Sequence, residues 1–220
     1  MNKNIFCIVG KSGAGKSYYI DNIRSDSKFM KQANLSPLVY GTTREKRAGE
    51  KDGVDYNFVT EEQYKNINPN NLIETRTYGT ISGVKYYFTK SDYIKNPKSN
   101  LICTSSLYQY ESYRNWTNLE NLTNKSNSID EKYTLNIIII NSELKTRLKR
   151  IIDRSTTDQE IYEGCRRVVE EKSEFESVES RVPELMDPMI YPQVLIIDNN
   201  DFSNTENNLT KIKEFILSKI

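Results

Sequence analysis

An α/β fold built on a parallel sheet is what this sequence predicts, and three observations carry the prediction. Continuous apolar runs recur at residues 5–9, 101–103, 135–140 and 194–197, the pattern of strands buried on both faces. The first run ends in a glycine-rich turn that opens a helical stretch, and charged helical stretches separate the later runs. A length of 220 residues suits one compact domain with a small insertion. We therefore expect a single domain over 1–220, with a three-layer core at 1–37 and 96–220, an insertion at 38–95 and a helical lid at about 150–166.

The elements follow in order. Residues 5–9 form the first strand, and 17–24 read as a helix whose Tyr19, Ile20 and Ile23 face the sheet. From 38 to 92 the texture changes to Tyr, Thr and Gly with the turn pairs Asp52-Gly53 and Ser82-Gly83, which predicts a small mixed or antiparallel β insertion. Residues 117–132, rich in Asn, Ser, Thr and charge, read as a surface connection without chemistry. Residues 142–150 and 159–175 read as helices broken by the polar stretch 153–158, the pattern of a mobile lid. Pro183, Pro188 and Pro192 mark an irregular approach to the last strand.

Composition narrows the function. With 31 Lys+Arg against 30 Asp+Glu there is no global basic field for nucleic acid or an anionic membrane, so phosphate binding must be local. Cys7, Cys103 and Cys165 lack CxxC spacing and His is absent, which supports neither a disulfide framework nor a zinc site and fits a reducing, cytoplasmic compartment. The apolar run before Gly10 is too short for a signal peptide or a membrane span.

Gly10-Lys11-Ser12-Gly13-Ala14-Gly15-Lys16-Ser17 satisfies GxxxxGK[ST] where its mechanism requires it, after a strand and opening a helix. Such a loop turns backbone N–H groups inward around phosphate oxygens, and the helix N-terminus adds its positive end. Lys16 is expected on the β and γ phosphates of ATP and the Ser17 hydroxyl on Mg²⁺, with Gly10, Ser12, Gly13, Ala14 and Gly15 completing the cradle.

The loop alone does not name an acceptor. Residues 42–50, reading TTREKRAGE, and 52–59, reading DGVDYNFV, resemble the monophosphate-binding segment of guanylate kinases. Arg44 and Arg47 sit three apart, and paired guanidiniums can grip a dianionic phosphate; taken alone they are equally readable as solvated partners of Glu45 and Glu50. The resemblance implies that Arg44, Arg47 and Tyr56 hold the acceptor's phosphate and that Glu74 reads the base. A carboxylate accepts from guanine N1–H and the exocyclic amine, whereas adenine offers an acceptor at N1.

Lys85-Tyr86-Tyr87-Phe88-Thr89 is similar to the family's NYYG[ST] element, which implies Tyr87 on the acceptor phosphate and Thr89 near the base, over a longer hairpin and with Phe88 in place of glycine; Tyr86 and Tyr87 also read as strand packing. Two positions depart further. Tyr40 stands where many members have serine, and residues 101–105, LICTS, replace LDID, leaving Ser105 or Ser106 as a neutral candidate for the acceptor.

In the lid, Arg154 and Arg167 match arginines placed across the phosphates, with Arg147, Arg150 and Arg166 as further candidates. Asn199 falls where the family carries a motif near adenine, and packing or backbone contact is expected of it. The resemblance implies ATP-dependent phosphorylation of GMP or dGMP, by a monomer or homodimer, with Mg²⁺ and without a nucleic-acid or membrane partner. A phage-type deoxynucleoside monophosphate kinase of another base preference, or a non-catalytic guanylate-kinase-like module, has the same outline; intact Lys16 and Ser17 favour an enzyme.

Overall fold

The structure, a computed structural model, describes residues 2–80, 83–129, 131–179 and 193–220. It is an α/β fold with two sheets among the described residues. The larger has the order β2-β7-β1-β8-β9, from Leu35–Pro37, Asn100–Ser105, Asn2–Val9, Lys132–Asn141 and Val194–Asp198. Every neighbouring pair in it is parallel.

Alternation along β1 explains why this sheet is covered on both faces. Phe6 and Ile8 join Ile102, Ile138 and Ile140 against α1 (Lys16–Ser25), α2 (Ser27–Gln32) and a helix near the C-terminus, here α8 (Thr205–Leu217). Ile5, Cys7 and Val9 join Leu101, Cys103 and Ile137 against the opposite layer, which contains α4 (Ser91–Lys95) and α5 (Leu107–Ser126). Each of these wholly buried isoleucines contributes on the order of 2 kcal/mol, so the central strands hold the frame on which the site stands.

The smaller sheet, order β4-β3-β6-β5, comes from Asn57–Phe58, Gly41–Thr42, Gly83–Lys90 and Leu72–Thr80. It is mixed, since β3 and β4 run parallel while β3–β6 and β5–β6 are antiparallel. α3 (Glu61–Lys65) packs on it, with Tyr64 stacked on Tyr86 at 4.4 Å. Phe88 is wholly buried beneath Gly41, where a Cβ would meet the Phe88 ring at 2.3 Å, so the ring at 88 requires glycine on the partner strand. The long hairpin is accommodated by an extended ladder reaching Thr80 opposite Gly83.

Several elements differ from the sequence reading, among them the helices α3, α4 and α8, for which it had no counterpart. β2 is an additional strand of the main sheet; it is three residues long and carries Pro37, which only an edge position tolerates. α2 is likewise unpredicted, and Asp26 caps it by accepting from the Phe29 N–H at 2.9 Å. The surface connection expected at 117–132 is largely the second half of α5. Its buried face is polar because asparagines pair a strand end: Asn121 both donates to the Tyr133 carbonyl and accepts from its N–H, and Asn124 donates to the Glu131 carbonyl. The polar break at 153–158 narrows to residues 155–157, since Asp153 and Arg154 continue α6 (Leu144–Arg154) and Asp158 opens α7 (Asp158–Glu179). Pro183, Pro188 and Pro192 lie outside the described residues.

Candidate active site

β1 delivers the chain into the loop at Gly10, and α1 begins at Lys16. Gly13 and Gly15 adopt φ of 79° and 105°, conformations that side chains rarely take. Space forbids a side chain there as well, since a Cβ would meet the Arg147 carbonyl oxygen at 2.6 Å from Gly13 and Asn199 Nδ2 at 2.5 Å from Gly15. A Cβ on Gly10 would meet the Ile140 carbonyl oxygen at 2.6 Å. Lys16 Nζ donates to the Gly10 carbonyl, and to the Lys11 carbonyl at 3.3 Å. Ser17 is exposed on the first turn of α1, while Ala14 is buried beneath it.

Three side chains support this loop from outside. Buried Asn199 donates through Nδ2 to the Ala14 carbonyl at 2.7 Å and accepts from the Tyr19 hydroxyl at 2.6 Å. Arg150 donates to the Gly13, Ala14 and Asn199 carbonyls at 3.4, 3.3 and 2.6 Å, and buried Arg147 donates to the Ser12 carbonyl at 3.3 Å. The lid arginines favoured from sequence lie elsewhere: Arg154 and Arg167 line an open 550 Å³ cleft between α6 and α7, with Arg167 on Glu163 at 3.2 Å. Arg166 bonds Glu163 and Glu170 on the outer face of α7.

From α7 a carboxylate enters the loop. Glu171 accepts from the Ser12 N–H and from the Ser12 hydroxyl, each at 2.6 Å. Its two oxygens stand in for oxygens of a phosphoryl group on the donors such a loop offers.

The second sheet assembles a separate anion grip. Arg44 forks onto Glu50 at 2.7 and 3.0 Å, donates through Nε to the Tyr87 hydroxyl at 3.2 Å and lies 5.4 Å from the centre of the Tyr56 ring. Glu50 also accepts from the Arg47 N–H at 2.7 Å, and these bonds hold its carboxyl below the usual range, the Arg44 guanidinium contributing most. The Arg47 side chain is exposed. Arg44, Tyr56 and Tyr87 are thus brought together, and the carboxylate partner left open by the sequence is Glu50.

Directly opposite Thr89 in the β5–β6 ladder is Glu74. Glu74 is buried and accepts through Oε1 from the Thr89 hydroxyl at 2.8 Å and from Gln109 Nε2 at 3.3 Å. Thr89 has spent its only proton there, so the Tyr113 hydroxyl, 2.9 Å away, donates to Thr89. Burial, with Cys103 and Glu74 nearby, pushes the Tyr113 phenol well above its usual value and keeps that proton on. Gln109 and Tyr113 belong to α5, so the core reaches into the insertion at this carboxylate. Ser105 Oγ, at the end of β7, is buried without a hydrogen-bond partner among the described residues, and the Tyr40 hydroxyl donates to the Thr104 carbonyl at 2.5 Å.

A family model described as guanylate kinase matches residues 2–103. The guanylate kinase of Blochmanniella floridana is 32% identical over 169 residues, covering 76% of this chain and 71% of that one. This chain belongs to the guanylate kinase family. The guanylate kinase of Shewanella frigidimarina is 44% identical over 62 residues, an alignment that spans 28% of each chain. A crystal structure of guanylate kinase from Anaplasma phagocytophilum shares the fold, with a TM-score of 0.51 at 16% identity over 99% of this chain and 86% of that one.

Several residues of this guanylate-kinase site escaped the sequence reading. Gln109 carried a signal, because Ser106 to Gln109 spells a capping box and both of its hydrogen bonds form. Arg76, bonded to Glu74 through Nε at 3.2 Å, carried the signal of an i, i+2 spacing on one strand face, whereas Glu171 carried none, since its partner is set by tertiary packing.

Proposed function

We propose that this chain transfers a phosphoryl group from ATP to GMP or dGMP, releasing ADP and GDP or dGDP. The observation that carries this reading is the pairing, in one chain, of a phosphate loop with a second anion grip beside a buried carboxylate. The loop Gly10–Ser17 takes the donor phosphates, Arg44, Arg47, Tyr56 and Tyr87 take the acceptor's phosphate, and Glu74 with Thr89 and Ser105 takes the base. Lys16 offsets charge on the transferring group, and Arg154 and Arg167 do so when the lid closes. Asn199 fixes the loop from the end of β9.

Mg²⁺ bound with ATP supplies charge neutralisation between the phosphates. Ser17 fits it as a single hard oxygen donor, in keeping with an ion that keeps its waters and relies on substrate phosphates; among the described residues no cluster of three or more acidic, Cys or His side chains competes for it. No helix among the described residues is long and apolar enough to cross a membrane. We place the enzyme in the cytoplasm, acting on free nucleotides as a monomer or homodimer and without nucleic acid.

ADP release measured across GMP, dGMP, AMP, CMP, UMP and dTMP tests the reading. Turnover is expected with GMP or dGMP. Turnover confined to a pyrimidine or to AMP refutes the base, and none with any acceptor refutes the enzyme.

A second test concerns Glu171. Its carboxylate occupies the Ser12 N–H and hydroxyl, and a phosphate that takes the same donors competes with it, which lowers the apparent affinity. Glu171→Ala is expected to lower the KM for ATP by about 3- to 10-fold and to leave the KM for GMP unchanged. An unchanged or raised KM for ATP would mean that the carboxylate does not compete.

A further inference from the structure

Glu74 is the most constrained carboxylate of the site. Oε1 accepts from both Thr89 and Gln109, which fills its two lone pairs. Among the described residues Oε2 accepts from Arg76 Nε alone, at 3.2 Å, so its second lone pair lies beside that guanidinium. Arg76 is two residues along the same strand and faces the same way as Glu74. Its side chain is 22% exposed, beside a Glu74 side chain that is wholly buried, and it lies over the Tyr40 ring at 5.6 Å. The Tyr40 hydroxyl is spent on the Thr104 carbonyl, which leaves Arg76 as the donor next to the carboxylate.

Together Glu74 Oε2 and the terminal nitrogens of Arg76 present an acceptor followed by donors. Guanine presents the complement, N1–H followed by the O6 acceptor; adenine presents the reverse, an acceptor at N1 beside an amino donor. We propose that Arg76 is the specificity-determining residue that donates to O6 of guanine, while Glu74 takes N1–H. This rests on the GMP reading above.

The competing role for a guanidinium on the residue paired with Tyr87 in the ladder is a contact to the acceptor phosphate, which every nucleotide shares. The test separates the two with analogues. In 6-thioguanosine monophosphate the O6 acceptor becomes a weakly accepting sulfur and both ring donors remain; IMP keeps O6 and N1–H and loses only the amine. Values of kcat/KM are measured for GMP and both analogues with the wild type, Arg76→Met and Arg76→Lys.

The wild type is expected to prefer GMP over the thio analogue by about 10-fold, and Arg76→Met to bring that ratio within about twofold of unity while lowering GMP turnover itself. The GMP to IMP ratio, which reports the exocyclic amine and not O6, should hold within about threefold, and Arg76→Lys should recover part of the thio discrimination. A thio ratio that survives in Arg76→Met overturns the proposal, because a phosphate contact or loosened packing lowers all three nucleotides alike. A wild type that uses GMP without preferring it to the thio analogue also overturns it. A wild type that does not use GMP refutes the proposed function instead, before any variant is compared.

Discussion

Lys16→Ala lowers phosphoryl transfer on the order of 10³-fold in kcat while GMP binding stays within a few-fold of the wild type. The ammonium lies on the Gly10 and Lys11 carbonyls of the loop. In a closed, water-poor site its charge acts on oxygens that gain charge only as the donor bond breaks, so the loss falls on kcat more than on ground-state binding. The backbone cradle survives, because it is shaped by Gly13 and Gly15 and braced by Asn199 and Arg150, none of which Lys16 positions. GMP binding measured calorimetrically without ATP reports the other half of the site. Loss of GMP binding in Lys16→Ala would mean that donor and acceptor halves are not separate.

That division was legible to very different degrees in the chain. The loop could be read because its glycines, lysine and serine are contiguous and each answers a local demand, positive φ at Gly13 and Gly15 and close backbone approach at Gly10. The central strands were legible because burial on both faces forces unbroken apolar runs. α5 was not, because its inner face carries Thr117, Asn121 and Asn124, and the backbone that asparagine satisfies lies on the edge of β8, visible only once the strand is in place. The surroundings of Glu74 were hidden for a related reason. Glu74 and Thr89 could be named by motif, but Gln109 and Tyr113 reach them across 35 and 24 residues from a helix of the other sheet. Among the lid arginines, helical spacing cannot tell Arg150, which bonds the loop, from Arg154 one turn later, which lines an outer cleft.

Arg44→Met raises the KM for GMP by roughly 10²-fold, because the guanidinium's charge is lost together with the N–H that its bonds to Glu45, Glu50 and Tyr87 leave for the phosphate. Its geometry is fixed beforehand: Glu50 takes the fork, the Tyr87 hydroxyl takes Nε, and the Tyr56 and Phe58 rings lie at 5.4 and 5.7 Å. A group oriented in this way binds without ordering a flexible side chain, and it also aims the acceptor oxygen, so kcat falls with affinity. Arg44→Lys should recover little, since an ammonium cannot hold Glu50, Tyr87 and a phosphate in the directions a planar fork does. Arg47→Met should lose less, because the hydrogen bonds it makes among the described residues come from its backbone, N–H and carbonyl both on Glu50, and its side chain is exposed. The KM for ATP should not move in any of the three, and melting temperature should shift little because the Arg44–Glu50 pair is partly solvated. Equal increases in the KM for ATP and GMP would place Arg44 outside an acceptor-specific grip. Retention of the GMP affinity would instead make the Glu50 pair, and not phosphate, the reason this arginine is there.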